Sequence, residues 1–390
     1  MNVPKRILPV IIISQFCCTS LWFASNAIIN DLISNFNLAS QALGNLTSAI
    51  QFGFIIGTLV FAILTIADRF SPSKVFFISA LIAAGFNICM LLSFNTLFSL
   101  ILFRFFTGFF LAGIYPIGMK IASDYYNKGL GKSLGFLVGA LVLGTAFPHL
   151  LKGFTNNVPW EYVIITTSLL AICGGLLVFF FVPNGPYRTP SQALDFSALF
   201  KVFKKQTFRQ AAFGYFGHMW ELYAFWAFVP IMLSSYQKLH NIYNLNIPLV
   251  SFLIIATGSI SCVIAGYTSI RLGTKKTATL LLLLSAFCCL ISPLIFTITP
   301  AIFFIGFLFF WGFVVIADSP LFSTLVAQNA ITALKGTALT IVNCIGFGIT
   351  IVSIQLLSVL NTNMPSIYNY TILAIGPILG LIVLIRKQKA

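Results

Sequence analysis

Charged residues are scarce in this chain: they make up 7% of its 390 residues, whereas about a quarter of the residues in soluble proteins are charged. Acidic side chains are much rarer than basic ones, with seven aspartates and glutamates against 22 lysines and arginines. Hydrophobic residues make up 59% of the sequence, and the mean hydropathy is +1.00. This composition excludes an ordinary soluble protein and is typical of a helical membrane protein in contact with the lipid bilayer.

Motifs for several kinds of chemistry are also missing from the sequence. There is no glycine-rich loop of the kind that binds nucleotide phosphates, which argues against an ATP-driven pump. The eight cysteines lie in apolar stretches without the histidine spacing of a metal site. We therefore expect no metal, no cofactor and no enzymatic activity. The net charge of +15 does not indicate nucleic-acid binding, because the basic residues lie between apolar segments.

Apolar segments of about 20 residues recur along the whole chain, and each is long enough to cross a bilayer as a helix. Twelve such segments are predicted, at 7–30, 44–66, 75–94, 97–121, 134–155, 160–182, 210–235, 247–269, 277–297, 301–327, 337–360 and 367–385. The sequence therefore predicts an all-α polytopic membrane protein with twelve transmembrane helices.

Basic residues are divided unevenly between the two sides of this arrangement. Nineteen of the 22 lie at the ends and in alternate loops on one side, Lys152 and Lys238 lie on the other, and Arg104 lies inside a segment. Because lysine and arginine concentrate in cytoplasmic loops, we predict that both termini are cytoplasmic. The expected location is the inner or plasma membrane, where the protein acts as a monomer.

One long loop, at 183–209, divides the segments into two sets of six. It begins with Pro183-Asn184-Gly185-Pro186, which stops a helix. Aromatic and aliphatic residues then recur at helical spacing beside lysines: Phe196, Leu199, Phe200 and Phe203. This pattern is typical of an amphipathic helix that lies on a membrane surface. The predicted domains are an N-terminal six-helix bundle at 1–182, a cytoplasmic linker with an amphipathic helix at 183–209, and a C-terminal bundle at 210–390.

The two sets of six segments resemble each other in sequence. Thr107-Gly108-Phe109 in the fourth segment parallels Trp311-Gly312-Phe313 in the tenth, at an offset of 204. Ser20-Leu21-Trp22-Phe23 in the first segment parallels His218-Met219-Trp220-Glu221 in the seventh. A parallel repeat of six helices is the plan of many secondary transporters, whose sites lie near the middle of the membrane.

Two motifs resemble those of a known family, the major facilitator superfamily. They are Asp68-Arg69 followed by Lys74 after the second segment, and Arg104 with Gly108 in the fourth. The resemblance covers essentially the whole chain. It implies a secondary transporter with two pseudo-symmetric six-helix bundles and alternating access to the two sides of the membrane.

Glu221 and Asp318 are the only acids well inside predicted segments. A carboxyl group in the membrane is a candidate proton-binding group, although a neutral acid that bonds to a neighbouring helix is the alternative. Asp318-Ser319-Pro320 predicts a kinked or broken helix, whose free backbone groups Asp318 could also satisfy. His218 lies one turn from Glu221, and it either takes part in proton coupling or only orients that acid.

Arg104 is a candidate for binding an anionic substrate or one of the acids, and the alternative is an arginine that holds its helix to neighbouring carbonyl groups. Other polar and aromatic residues inside segments are candidates for lining a substrate cavity, with packing as the alternative for each. They are Trp22, Asn26, Gln51, Tyr115, Trp220, Tyr223 and Trp226. Asp68 and Arg69 are predicted to form a conformational latch, that is, charged groups whose ion pairs favour one access state, and ordinary loop charges are the alternative.

These features favour a proton-coupled secondary transporter of a small polar or amphipathic organic solute, with uptake by symport as the preferred direction. Its expected partners are the solute, protons and the bilayer. A drug-type efflux antiporter that exchanges protons would also use membrane carboxylates and aromatic walls. An uncoupled channel or sensor is the alternative from a different class.

Overall fold

A computed structural model describes residues 4–126, 130–154, 159–188, 198–242, 244–331 and 334–386 of the chain. The chain divides into two compact units, Met1–Ala193 (unit 1) and Leu194–Ala390 (unit 2). The domain boundaries at 1–182, 183–209 and 210–390 remain a prediction. Within the linker, Phe196 and the side chains of Leu199 and Phe200 lie outside the described residues.

Unit 1 is built of helices that agree with the first six predicted segments. They are α1 (Ile7–Thr19), α2 (Ala24–Ala27), α3 (Ile29–Phe36), α4 (Ala42–Ile63), α5 (Ile66–Arg69), α6 (Pro72–Ile88), α7 (Leu97–Leu111), α8 (Tyr115–Tyr125), α9 (Leu130–Phe154) and α10 (Glu161–Phe181). A short 3-10 helix, Cys89–Leu91, extends α6. At the start of α7, Thr96 and Ser99 form a capping box that satisfies backbone N–H groups of the first turn.

Unit 2 is built in the same way from the remaining segments. Its helices are α11 (Ala198–Lys204), α12 (Gln206–His240), α13 (Ile247–Leu272), α14 (Thr274–Phe296), α15 (Ala301–Ala317), α16 (Ser319–Asn329), α17 (Lys335–Asn363) and α18 (Ile375–Ile385). The 3-10 helix Ile367–Ala374 leads directly into α18. Between α13 and α14, Gly273 has φ +88°, a backbone conformation that glycine adopts without strain.

Ten stretches of the described residues are helical, long and apolar enough to cross a membrane. Two further segments complete the predicted set of twelve. The first segment is divided among α1, α2 and α3, so only the shorter apolar helix Ile7–Thr19 stands out by hydropathy. The seventh is α12, a helix of 35 residues whose polar side chains, including Glu221 and His218, lower its hydropathy.

The fourth and tenth segments are each broken at the same point of the repeat. Turn residues separate α7 from α8 before Pro116, and Asp318 separates α15 from α16 before Pro320. Proline has no backbone N–H and clashes with the carbonyl group four residues earlier, so a helix breaks or kinks there. The break predicted beside Asp318 is therefore confirmed, and it has a counterpart in unit 1.

Close helix packing also repeats between the units. A Cβ atom on Gly108 would lie 2.0 Å from the backbone oxygen of Ile50, and one on Gly312 would lie 2.5 Å from that of Ile254. Gly312 and Ile254 each follow their counterparts in unit 1 by 204 positions, the offset seen in the sequence. Each unit therefore packs its second segment against its fourth through a glycine that admits the neighbouring backbone.

Candidate functional site

Glu221 lies on α12 and its carboxyl group is held by two side chains from other helices. The indole Nε1 of Trp311 on α15 donates a hydrogen bond of 2.6 Å to Oε1. The hydroxyl group of Ser285 on α14 donates one of 2.8 Å to Oε2. Glu221 is 1% exposed, and no lysine or arginine of the described part of the chain forms an ion pair with it. The carboxyl group is thus buried and hydrogen-bonded without a cation beside it.

His218 and Asp318 form a second buried polar pair in unit 2. Nδ1 of His218 lies 2.8 Å from Oδ1 of Asp318, and both side chains are 1% exposed. Nε2 of His218 is buried and has no hydrogen-bond partner among the described residues. His218 therefore pairs with Asp318 and not with Glu221, the acid one turn away on its own helix.

The helix break beside Asp318 explains how this acid reaches α12. Because Asp318 lies in the turn between α15 and α16, its side chain is placed at the point where the helix changes course. The backbone oxygen of Ile316 near the break is 3.6 Å from Sγ of Cys262 on α13. Another side chain therefore satisfies a carbonyl group of the break, and the carboxyl group of Asp318 faces the histidine.

The aromatic candidates on α12 separate into two groups. The rings of Tyr223 and Trp226 are 5.3 Å apart, and Tyr223 lies at the same distance from Phe347 on α17. These buried rings pack against one another inside unit 2. Trp220 is partly buried and donates a 3.0 Å hydrogen bond to the backbone oxygen of Ile372, which fits the packing alternative.

Arg104 is fully buried in unit 1 and binds the backbone of the broken first segment. Its Nη1 donates to the carbonyl group of Leu21 at 3.0 Å and to Oδ1 of Asn87 at 3.3 Å, and its Nη2 donates to the carbonyl group of Trp22. Backbone carbonyl groups outside a helix need partners at membrane depth, because lipid offers none. These contacts favour the structural alternative for Arg104, and substrate binding by Arg104 stays a prediction.

Trp22, Asn26 and Gln51 lie close together around the same break. Trp22 packs against Phe54 of α4 with ring centroids 4.9 Å apart, and Nδ2 of Asn26 donates a 2.9 Å bond to Thr47. Gln51 lies on the same face of α4, one turn from each of these two contacts. Neither its amide nitrogen nor its amide oxygen has a hydrogen-bond partner in the described ranges, although the side chain is fully buried. Three predicted substrate residues therefore share one polar region of unit 1.

The two residues of the predicted latch, Asp68 and Arg69, have different partners in the structure. Asp68 lies 3.1 Å from Nζ of Lys120 on α8, and the same Nζ lies 3.7 Å from Asp124. Arg188 donates to the backbone oxygens of Asp68 and Phe70. Nε of Arg69 donates at 3.2 Å to the hydroxyl group of Thr65, in its own turn. Asp68 therefore forms an ion pair in this loop, whereas Arg69 forms none among the described residues.

The last candidate, Tyr115, is partly buried and is the first residue of α8, directly after the break in the fourth segment.

Residues that the sequence did not predict as part of the site are Ser285, Lys120 and Trp311. Trp311 stands in the sequence repeat beside Gly312, which could have directed attention to it. No sequence signal singles out Ser285.

Comparison with known proteins decides the family. The sequence model described as Major Facilitator Superfamily matches residues 11–354. The chain belongs to the Major Facilitator Superfamily. Members of this superfamily are transporters that cross the membrane many times, so the predictions of a multi-pass membrane protein without enzymatic activity are confirmed.

One curated relative is the 4-hydroxybenzoate transporter PcaK of Acinetobacter baylyi, which is 32% identical over 164 residues. The matched stretch is 40% of this chain and 34% of PcaK, so the chain matches about a third of the length of this relative.

Solved structures of the Major Facilitator Superfamily show the same fold. A D-xylose-proton symporter aligns with a TM-score of 0.78 at 14% identity and covers 97% of both chains. The xylose transporter XylE from E. coli, in a partially occluded inward-open conformation, has a TM-score of 0.76 at 14% identity, with 96% of this chain and 95% of XylE covered. A bacterial homologue of the human lysosomal transporter Spinster has a TM-score of 0.72 at 14% identity, with 98% and 97% covered. The predicted twelve-helix fold is confirmed.

Proposed function

We propose that this chain is a proton-coupled secondary transporter that takes up a small polar or amphipathic organic solute through the inner membrane, with both termini in the cytoplasm. The observation that carries the proposal is the environment of Glu221. Its carboxyl group is buried in the membrane region, accepts bonds from Ser285 and Trp311, and has no cationic partner among the described residues. A carboxyl group in such a place is stable when neutral, and binding a proton neutralises it.

The pair of His218 and Asp318 supports a proton pathway in the same unit. Both groups are able to exchange protons, and their atoms are 2.8 Å apart. Glu221 and Asp318 interact electrostatically, so loading or unloading of a proton at Glu221 changes the charge that Asp318 experiences. The proposed coupling sites are thus Glu221, Asp318 and His218.

The polar region around the first-segment break supports the assignment of a polar solute. The free amide of Gln51 offers both a donor and an acceptor, next to Asn26 and the ring of Trp22. In unit 2, Tyr223 and Trp226 offer flat apolar surfaces. The amides of unit 1 thus suit a solute with polar groups, and the rings of unit 2 suit a solute with an apolar or cyclic part. The name of PcaK makes aromatic carboxylates such as 4-hydroxybenzoate suitable first compounds to test.

Accumulation in proteoliposomes tests the proposal. Purified protein is reconstituted, a pH difference that is acidic outside is imposed, and uptake is measured across a panel of sugars, nucleosides and aromatic acids. A pH difference of about 1 unit supports roughly tenfold accumulation for each coupled proton. Accumulation of one saturable solute supports the proposal. Purely downhill flux would indicate an uncoupled channel, and extrusion of unrelated lipophilic cations would indicate a drug antiporter.

A further inference from the structure

Trp311 restricts where a proton binds on Glu221. An indole N–H group is a donor only, so the 2.6 Å bond from Trp311 keeps Oε1 as an acceptor whether or not the acid is protonated. In a neutral acid the carbonyl oxygen accepts more strongly than the hydroxyl oxygen, so this bond favours Oε2 as the oxygen that takes the proton. The structure places the hydroxyl group of Ser285 at that oxygen.

Ser285 is able to bond to both forms of the acid without any movement of heavy atoms. A serine hydroxyl group both donates and accepts, and Oγ of Ser285 lies 2.8 Å from Oε2 of Glu221 and 3.2 Å from the backbone oxygen of Leu282. When Glu221 is ionised, the hydroxyl group donates to Oε2. When Oε2 carries a proton, Oε2–H donates to Oγ, and the hydroxyl hydrogen turns to the carbonyl group of Leu282. The protein gains one proton, and the polar side-chain atoms of Glu221 and Ser285 each keep a partner.

We propose that Ser285 is a positioning residue for the coupled proton, and that its hydroxyl group reverses its hydrogen bond each time Glu221 gains or loses that proton. The proposal rests on the proposed function, in which Glu221 binds the proton. It assigns a role to α14, which links to α12 through a donor in one state and through an acceptor in the other. Ser285 thereby allows the acid to change charge while its position stays fixed.

Other titratable groups near the carboxyl group do not offer the same change of role. The thiol of Cys289 on α14 hydrogen-bonds to the carboxyl group, and Cys288 on α14 and Asp318 at the α15–α16 break interact with it electrostatically. His218, one turn away on α12, is engaged with Asp318. A thiol is a weak donor and a weak acceptor, so the hydroxyl group of Ser285 is the stronger partner for Oε2.

Infrared difference spectroscopy of the full chain in liposomes tests this role without a substrate. The pH is titrated, and the carbonyl stretching band of a protonated carboxylic acid is followed. Glu221→Gln identifies the band, because the variant lacks the acid. In Ser285→Ala the ionised acid loses a stronger bond than the protonated acid does, so we expect the midpoint of the band to move to higher pH by about 0.5–1 unit. Ser285→Thr, which keeps a hydroxyl group, is expected to restore it.

A matched control is available on the same helix. Ser292 is also fully buried on α14, but its hydroxyl group donates to the backbone oxygen of Cys289, within its own helix, at 2.9 Å. Ser292→Ala is therefore expected to leave the midpoint unchanged. A general effect of removing a buried hydroxyl group would move it in both variants.

The outcomes separate this proposal from the proposed function. If Glu221→Gln removes the band and Ser285→Ala titrates like the unmodified protein, the role of Ser285 is wrong and proton binding by Glu221 stands. If Glu221→Gln removes no titrating band, the proton site itself is wrong and both proposals fail. Should Ser285→Ala not fold, Ser285→Cys takes its place, with a smaller shift in the same direction because a thiol donates weakly; an unchanged midpoint would again overturn the role.

Discussion

Nδ1 of His218 lies 2.8 Å from Oδ1 of Asp318, although the two residues are a hundred positions apart in the chain. The helix break before Pro320 brings the acid to α12, and both side chains are almost completely buried. A buried pair of this kind stabilises the fold only as a unit, because removal of one partner leaves the other without compensation. The pair therefore contributes to the stability of unit 2 and also supplies two groups of the proposed proton pathway.

The first prediction concerns the mutual dependence of this pair. We expect His218→Gln and Asp318→Asn each to destabilise the protein, and the double variant to be less affected than the sum of the two. The interaction energy should be about 1–3 kcal/mol, as for residues in direct contact. Thermal unfolding of the four proteins in detergent measures it. Strict additivity would show that the two side chains do not interact in the membrane protein.

The second prediction concerns Arg104. We expect Arg104→Lys to destabilise the protein by about 2–4 kcal/mol, because a single ammonium group does not reach the carbonyl groups of Leu21 and Trp22 and Oδ1 of Asn87 together. A lower midpoint of thermal unfolding would show this loss. Arg271→Lys, at an exposed position, is the control and should unfold like the unmodified protein. If Arg104→Lys keeps full stability but loses only solute affinity, the arginine serves substrate binding instead.

The third prediction concerns the contact between α12 and α18. A Cβ atom on Gly376 would lie 2.4 Å from Cβ of Trp220 and 2.6 Å from the backbone oxygen of Gly217. We therefore expect Gly376→Ala to destabilise unit 2 by about 1–3 kcal/mol through overpacking. Gly348→Ala on α17, where the added methyl group would meet nothing within 4 Å, should be neutral or slightly stabilising. Equal unfolding midpoints for the two variants would argue against this close contact.

The fourth prediction separates the two residues of the latch. We expect Asp68→Asn to slow transport while the half-saturating concentration of solute is unchanged, because it removes the ion pair with Lys120 and not a solute contact. Arg69→Gln should have the smaller effect, since its side chain bonds to Thr65 within the same turn. Initial rates in proteoliposomes compare them. A larger loss in Arg69→Gln than in Asp68→Asn would contradict the assignment of the latch to the ion pair of Asp68 with Lys120.

The membrane segments and the acids inside them could be predicted from the sequence because both signals are local. Twenty apolar residues in a row must form a helix in lipid, and a carboxyl group within such a run stands out. The break at Asp318 was also readable from the proline that follows it. The break near Trp22 in the first segment has no proline beside it that would predict it. Its free carbonyl groups accept hydrogen bonds from Arg104 in the fourth segment.

The partners of the acids could not be predicted because they depend on how helices pack. Residues three positions apart on a helix differ in direction by about 60° and lie about one turn apart, so His218 and Glu221 meet different neighbours. Ser285 is 64 positions from Glu221, and a serine in an apolar helix is not distinctive until the neighbouring acid is placed beside it. The sequence spacing therefore indicated the helix that carries the site but not the contacts that define it.

The central claim is that Glu221 binds the proton that drives transport, and one comparison tests it most directly. Glu221→Gln is reconstituted beside the unmodified protein, and two activities are measured with the solute that the panel identifies. One is exchange of labelled for unlabelled solute at equal pH, which needs no net proton movement. The other is accumulation under an imposed pH difference of about 1 unit, which supports roughly tenfold accumulation per coupled proton.

The result we predict is that Glu221→Gln still exchanges solute but no longer accumulates it, because glutamine keeps the size and polarity of the side chain and binds no proton. Exchange shows that the variant is folded and that its solute site is intact. Accumulation by Glu221→Gln to the same level as the unmodified protein would contradict the claim.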